Sequence, residues 1–391
     1  MTRVSRRPDL IEALGPHPAL RALAGEPGVH VVGGAVRDAL LGADPHELDL
    51  VVEGDAAAVA ARAAARLGGR VVVHERFGTA TVHAPDATFD LASARTERYP
   101  APGALPDVRL GATLQQDLAR RDLTVNAIAL ALADGALTAW PGALDDLGAG
   151  VLRVLHERSF ADDPTRMLRL ARYAGRLGFA ADPGTDALLA AAVADGALAT
   201  VSGQRLGEEL RLLAAEPQPA ALEALQRHGL GAALLHPAFH VEPGLVTRAA
   251  ALTPADARAD LAALAATLRD VARDELLGAL ERLAFPAAER EVVLAAAAMP
   301  ALNDGSDEEL WNALRRVAPE AVAVAGAAGD AAAARRWLED LRSRRLAISG
   351  EDLVAAGLHG PAVGAALDAA MRAHLRGEAP DRERQLAAAL A

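Results

Sequence analysis

The chain has 391 residues, 52% of them hydrophobic, and a formal net charge of −12. That length exceeds what one hydrophobic core usually serves, so more than one domain is expected. Cysteine is absent, which excludes disulfides and thiolate metal sites and fits a reducing cytoplasm. No apolar run is long enough to span a membrane, and the opening Met1–Pro8 carries arginines but no apolar core of a secretory signal. The basic residues are all arginine: 19 against 22 acids over residues 1–172 (−3), and 21 against 30 over 173–391 (−9). Any contact with RNA must therefore come from clustered arginines and not from the overall field.

Taken in chain order, Val29–Val32, Leu48–Val52, Val71–Val73 and Ala80–His83 read as strands. A helix is expected over Ala56–Leu67, stopped by Gly68-Gly69. From about Ser159 onward the chain is Ala/Leu-rich with helical spacing, broken by Pro and Gly, and it shows no fixed-period repeat. The expected fold class is α+β: a mixed-sheet head followed by an all-helical remainder.

Several stretches carry candidate chemistry. Gly33-Gly34-Ala35-Val36-Arg37-Asp38 follows the first strand. It reads either as a tight turn or as a backbone that approaches a phosphate, with Arg37 as a clamp. In Glu47-Leu48-Asp49 the two carboxylates, two residues apart on a strand, share one face and suit Mg²⁺ completed by a nucleotide triphosphate. Asp90, in Thr88–Ala92, is either a third metal ligand or a strand-end surface group. The string Asp117–Ala127 places Arg120 and Arg121 for a triphosphate and Asp122 or Asn126 for ribose hydroxyls; the alternative is solvated ion pairs. Asp162-Asp163-Pro164-Thr165-Arg166 opens a helix, with Asp162 or Asp163 available as its cap. Arg166, Arg169, Arg172 and Arg176 fall within an arc of about 120° on that helix and have no acidic partner four residues on, so an anion is expected against them.

Together these stretches resemble the bacterial class II tRNA nucleotidyltransferases (CCA-adding enzymes) and their poly(A) polymerase relatives. Gly33–Asp38, Glu47–Asp49, Arg120–Asp122 and Asp162–Arg166 stand in the order and approximate spacing of that family. Arg95–Pro106 is similar to its flexible loop, while Val201–Leu206 and Ile348–Leu353 are similar to its helical body and tail. The resemblance implies a nucleotidyltransferase palm over 1–150, a helical neck with a base-recognition motif over 151–200, and a tRNA-binding body and tail over 201–391. It implies that Gly33, Gly34 and Arg37 hold the triphosphate, that Glu47 and Asp49 hold catalytic Mg²⁺, and that Arg120, Arg121 and Asp122 recognise triphosphate and sugar. Asp163 and Arg166 would read the Watson–Crick edge of the incoming base, with Arg169 and Arg172 further along the same nucleotide-binding helix. The expected substrates are CTP, ATP and the acceptor arm and 3′ end of tRNA, with in-line attack of the 3′ hydroxyl on the α-phosphorus. Poly(A) polymerase is the alternative enzyme, and a catalytically inactive RNA-binding protein is the reading from another class. No membrane contact and no obligatory protein partner are expected. Two departures stand out: Glu47 replaces a usual Asp, and Asp162 replaces a usual Glu. No His-Asp dipeptide marks the phosphohydrolase domain fused to some relatives.

Overall fold

The computed structural model describes residues 2–6, 8–45, 48–75, 78–217 and 219–391, with side chains from residue 9 onward. It contains one eight-stranded sheet, built from β1 (Thr2–Arg6), β2 (Val29–Val32), β3 (Asp49–Val52), β4 (Arg70–His74), β5 (Thr79–Ala84), β6 (Ala87–Ser93), β9 (Ile128–Ala131) and β10 (Ala136–Ala139). The order is β1-β10-β9-β2-β3-β6-β5-β4. Only β3 and β6 pair in parallel; the other neighbours are antiparallel. Between β6 and β9, β7 (Arg95–Arg98) and β8 (Asp107–Leu110) form a separate two-stranded ribbon. A last pair, β11 (Val151–Leu152) and β12 (Ala180–Ala181), closes the β content.

The central strands β2 and β3 are rich in valine, whose branched side chains suit a pleated, two-sided core. Val29, Val31, Val32, Leu50, Val51 and Val52 are all buried. Helices α1 (Pro8–Ala13), α2 (Pro18–Ala22), α3 (Gly34–Leu40), α4 (Ala56–Leu67), α5 (Leu114–Ala119) and α6 (Ala143–Ala149) accompany the sheet. The alanine-rich α4 starts at Asp55, whose carboxylate accepts from the amides of Ala57 (2.9 Å) and Ala58 (3.3 Å). It ends where Gly68 turns left-handed at φ 66°. Leu114 and Leu118 of α5 pack with Val32, Val51 and Ala129, which fixes α5 against the sheet centre. Each fully buried leucine contributes about 1.5 to 3 kcal/mol.

Among the described residues no strand follows Ala181; α7 (Ser159–Asp162), α8 (Thr165–Leu177), α9 (Pro183–Ala194) and α10 (Gly203–Ala214) begin a run of helices that reaches Leu390. The α+β class and the mixed-sheet-then-helical order are thus as expected from the sequence. The chain separates into two compact units, residues 1–209 with 227–233, and residues 210–226 with 234–391. The stretches expected as palm and neck both lie in the first. Among the described residues no helix is long and apolar enough to cross a membrane.

Candidate active site

The parallel register that pairs Leu50 with Leu91 sets Asp49, at the start of β3, beside Asp90 of β6. Both carboxylates are exposed, and both line a cavity of about 380 Å³ with His17, Thr88 and Phe89. Asp90 accepts a hydrogen bond from the Thr81 hydroxyl at 2.5 Å. Glu47 lies outside the described residues, and among those described no cluster of three or more potential metal ligands forms. Two adjacent hard-oxygen donors open to a cavity fit a divalent cation whose remaining positions are taken by water or a phosphate-bearing substrate.

The glycine turn contributes shape. Gly33 caps α3 at φ 69°, a left-handed conformation that side chains disfavour, and a Cβ there would stand 2.7 Å from an Arg121 guanidinium nitrogen. Its own amide donates to the Ile128 carbonyl at 2.9 Å, so Gly33 admits Arg121 without offering a phosphate donor. Arg121 is held by Asp117 at 3.3 Å. Burial lowers the pKa of its guanidinium, against the opposing pull of Asp117 and of nearby Asp49. Arg120 is gripped by the same fully buried Asp117, with contacts of 2.8 and 3.0 Å. One carboxylate therefore orients both arginines of the pair.

Arg37 departs from the expected role. Its guanidinium is only 1% exposed and donates to Asp38 (2.8 Å) and to Asn126 Oδ1 (2.7 Å), with its carbon 5.1 Å from the centre of the Tyr173 ring. It is a buried strut beneath the glycine turn and not a clamp at the surface. A helical position one turn in says nothing about whether a long side chain folds outward or under the strand.

Asp122 and Asn126 are buried as well. Asp122 accepts from the Leu123 amide (2.8 Å), from Asn126 Nδ2 (3.1 Å) and from Arg169 Nε (2.8 Å). Burial alone would raise its pKa, but Arg169, the Asn126 amide and Arg166 outweigh it and hold the carboxyl well below the ordinary range. Its oxygens serve this network and do not lie open to a ribose.

The arginine face of α8 has its anions inside the protein. Arg169 pairs with Asp122 and with Glu209 of α10 (3.2 Å), and Arg172 lies 3.7 Å from the same Glu209. The guanidiniums of Arg37, Arg169 and Arg172 surround the Tyr173 ring at 5.1 to 5.7 Å. The expectation that Arg169 and Arg172 await an external anion is thereby corrected.

Arg166 donates to Ser159 Oγ (2.9 Å) and to the Arg120 carbonyl (2.7 Å). It lines a cavity of about 240 Å³ with Arg120, Glu97, Tyr99, His156 and Asp162. Asp163 instead accepts from Thr165, both amide (3.1 Å) and hydroxyl (2.7 Å), and from Arg205 (2.8 Å). It satisfies the first amide of α8, while Asp162 bonds Arg158 and borders the cavity. Sequence reasoning did not single out Glu97, Tyr99 or His156 as site residues. Glu97 accepts from Arg95 (2.9 Å), Arg120 (2.9 Å) and the Tyr99 hydroxyl (3.2 Å). Burial pushes the Tyr99 hydroxyl up to about 12, with Arg166 opposing. Burial first and Arg166 second lower the pKa of His156. The alternation of Arg95, Glu97 and Tyr99 on one ribbon strand was the available signal.

This geometry has known counterparts. Residues 29–153 match the Poly A polymerase head domain, which makes the sheet-bearing part of the chain a nucleotidyltransferase head. Across 220 residues the chain is 43% identical to the A-adding tRNA nucleotidyltransferase of Geobacter sulfurreducens, covering 55% of this chain and 25% of that protein. Across 247 residues it is 42% identical to the CC-adding tRNA nucleotidyltransferase of Deinococcus radiodurans, covering 62% and 64%. The matched stretch thus spans from a quarter to under two thirds of these relatives' own length. Among solved structures, a CCA-adding enzyme in an apo form superposes with a TM-score of 0.81 at 27% identity, over 100% of this chain and 99% of that one. The Thermotoga maritima CCA-adding enzyme complexed with tRNA gives 0.74 at 26%, again over 100% and 99%. The chain belongs to the family of class II tRNA nucleotidyltransferases and bacterial poly(A) polymerases. A head of this fold implies the use of a divalent metal.

Proposed function

We propose that the chain is a tRNA nucleotidyltransferase that adds CCA, or the CC or A part of it, to tRNA 3′ ends from CTP and ATP without a nucleic-acid template. The observation that carries this reading is the side-by-side placement of Asp49 and Asp90 on a sheet whose next strand, β2, leads into the Gly33 turn packed against Arg121. Asp49 and Asp90, joined by Glu47, would hold Mg²⁺, which when bound neutralises triphosphate charge and acidifies the attacking hydroxyl. Arg121 at the glycine turn and Arg120 beside it orient the triphosphate for in-line attack. Arg37, Asp122, Asn126, Arg169 and Arg172 act underneath, as the buried network that fixes those positions. The three-part division into palm (1–150), neck (151–200) and body with tail (201–391), and a place in the cytoplasm, belong to the same proposal. The titles of relatives that add A alone, CC alone or CCA support the substrate class, as do solved structures of CCA-adding enzymes with ATP and with CTP.

Base selection follows from donor and acceptor chemistry. C and A carry an exocyclic amino group on the Watson–Crick edge, where U and G present a carbonyl. A carboxylate acceptor beside the Arg166 donor therefore favours CTP and ATP. Asp163 supplies that acceptor when released from Arg205, whereas Asp162 already borders the cavity. Arg166→Ala is expected to relax the preference for CTP and ATP over UTP and GTP by roughly 5- to 150-fold, the equivalent of about 1 to 3 kcal/mol. The check is kcat/KM for each nucleotide on tRNA ending before CCA, with Asp162→Ala and Asp163→Ala measured alongside. Whichever of the two acidic variants loses selectivity marks the acceptor; unchanged ratios in all three variants overturn the base-reading role.

A further inference from the structure

The second compact unit contains a cavity of about 780 Å³ lined by residues of helices Asp307–Leu314 and Ala331–Glu339 and of the turn Leu341–Ser343. Five arginines line it, Arg315, Arg316, Arg342, Arg344 and Arg345, against the carboxylates of Asp256 and Glu339. In a chain of net charge −12 that is a local reversal of sign. The five are not equivalent. Arg342 forks onto Asp256 at 2.7 and 3.2 Å, and Arg344 onto Asp340 at 2.6 and 3.1 Å, so their charge is already met. Arg315 bonds Asp368 at 2.6 Å and lies over the Trp311 ring, 4.5 Å from its centre.

Arg316 and Arg345 differ from these. Arg316 is exposed and makes no hydrogen bond or ion pair with any described residue. Arg345, also exposed, donates only to the backbone carbonyls of Arg342 (3.1 Å) and Arg344 (2.9 Å). Two guanidiniums with no carboxylate thus border one cavity beside a cation–indole stack that Asp368 holds in place. Guanidinium forks match phosphate oxygens, and a flat, anchored guanidinium over an indole is a platform on which a base stacks.

We propose that this cavity binds a nucleotide unit, with its phosphate on Arg316 and Arg345 and its base against the Arg315–Trp311 stack, at a site separate from that of the head. The volume lies in the range of small-ligand pockets, roughly 300 to 1,000 Å³. Such a unit comes either from the bound tRNA strand, which rests on the function proposed above, or from a free nucleoside triphosphate, which does not.

The test uses the full chain with two probes, CTP and a tRNA lacking its CCA end. The double variant Arg316→Ala/Arg345→Ala is compared with Arg342→Ala, whose guanidinium is already neutralised by Asp256. If the nucleotide belongs to tRNA, the double variant flattens the log–log salt dependence of tRNA binding by about 1.4 to 1.8 units, at 0.7 to 0.9 per lost phosphate contact, and Arg342→Ala flattens it far less. If it is free, CTP quenches tryptophan fluorescence in the unmodified chain, and Trp311→Phe and the double variant lose that quenching. An unchanged salt slope together with unchanged CTP quenching in the double variant overturns the site. Thermal melting confirms that each variant is folded, and an Arg316→Gln/Arg345→Gln pair removes the charge at similar length should the alanine pair melt early. Extension of the same tRNA by the unmodified chain, run in parallel, separates failure of this site from failure of the proposed function.

Discussion

Asp49→Ala is expected to abolish nucleotide addition, a loss of at least about 10³-fold, while the melting temperature and tRNA affinity stay near those of the unmodified chain. Asp49 opens β3 with its carboxylate exposed at a cavity, so its removal leaves no void in the core. Its Val32 and Leu50 neighbours pack without it. Charge compensation at a transferring phosphoryl group is the main thing such a site supplies, and half of the described carboxylate pair would be gone. Glu47→Asp is the informative companion: it restores the residue usual in the family and is expected to keep activity. Steady-state extension of tRNA at several Mg²⁺ concentrations is the measurement. Full activity of Asp49→Ala would remove the metal assignment.

Arg37→Ala is expected to act through stability, opposite to what a phosphate clamp would do. Asp38 and Asn126 would lose their guanidinium partner inside a buried network, and a cavity would open beneath the Tyr173 ring. Breaking a buried charged pair by removing one partner costs about 3 to 5 kcal/mol. The urea midpoint for unfolding of the first unit should therefore drop well below that of the unmodified chain. Arg37→Lys would not rescue it, because one ammonium cannot reproduce the planar fork onto Asp38 and Asn126. A variant with unchanged stability but raised KM for nucleotide would return Arg37 to the triphosphate.

Much of this was legible in the chain because it depends on local pattern. The valines of β2 and β3, the alanine run of α4 with its Asp55 start and Gly68 stop, and the order of the glycine turn, carboxylates and paired arginines all declare themselves within a few residues. What was not legible depends on partners distant in sequence. On α8 the arginines look unpaired, yet Asp122 and Glu209 meet Arg169 from 47 and 40 residues away. Arg342 and Arg344 look like a free basic cluster until Asp256 and Asp340 neutralise them, which leaves Arg345 and the unremarked Arg316 as the open charges. The strand β1 carries no apolar alternation and owes its place to the backbone of β10, some 130 residues on. The ribbon of β7 and β8 likewise stands where only a flexible loop was expected.

The central claim is that this chain extends tRNA at its 3′ end with C and A. The most direct measurement incubates the purified full chain with Mg²⁺ and tRNA ending just before CCA, supplying CTP and ATP separately and together, and sizes the products at single-nucleotide resolution. A tRNA ending in CC is run in parallel. The account predicts discrete additions that stop: two residues from CTP alone, three from both, or a single A on the CC-ended substrate if only that part of the sequence is added. Long heterogeneous A tracts from ATP alone, or no extension of either tRNA, would contradict it.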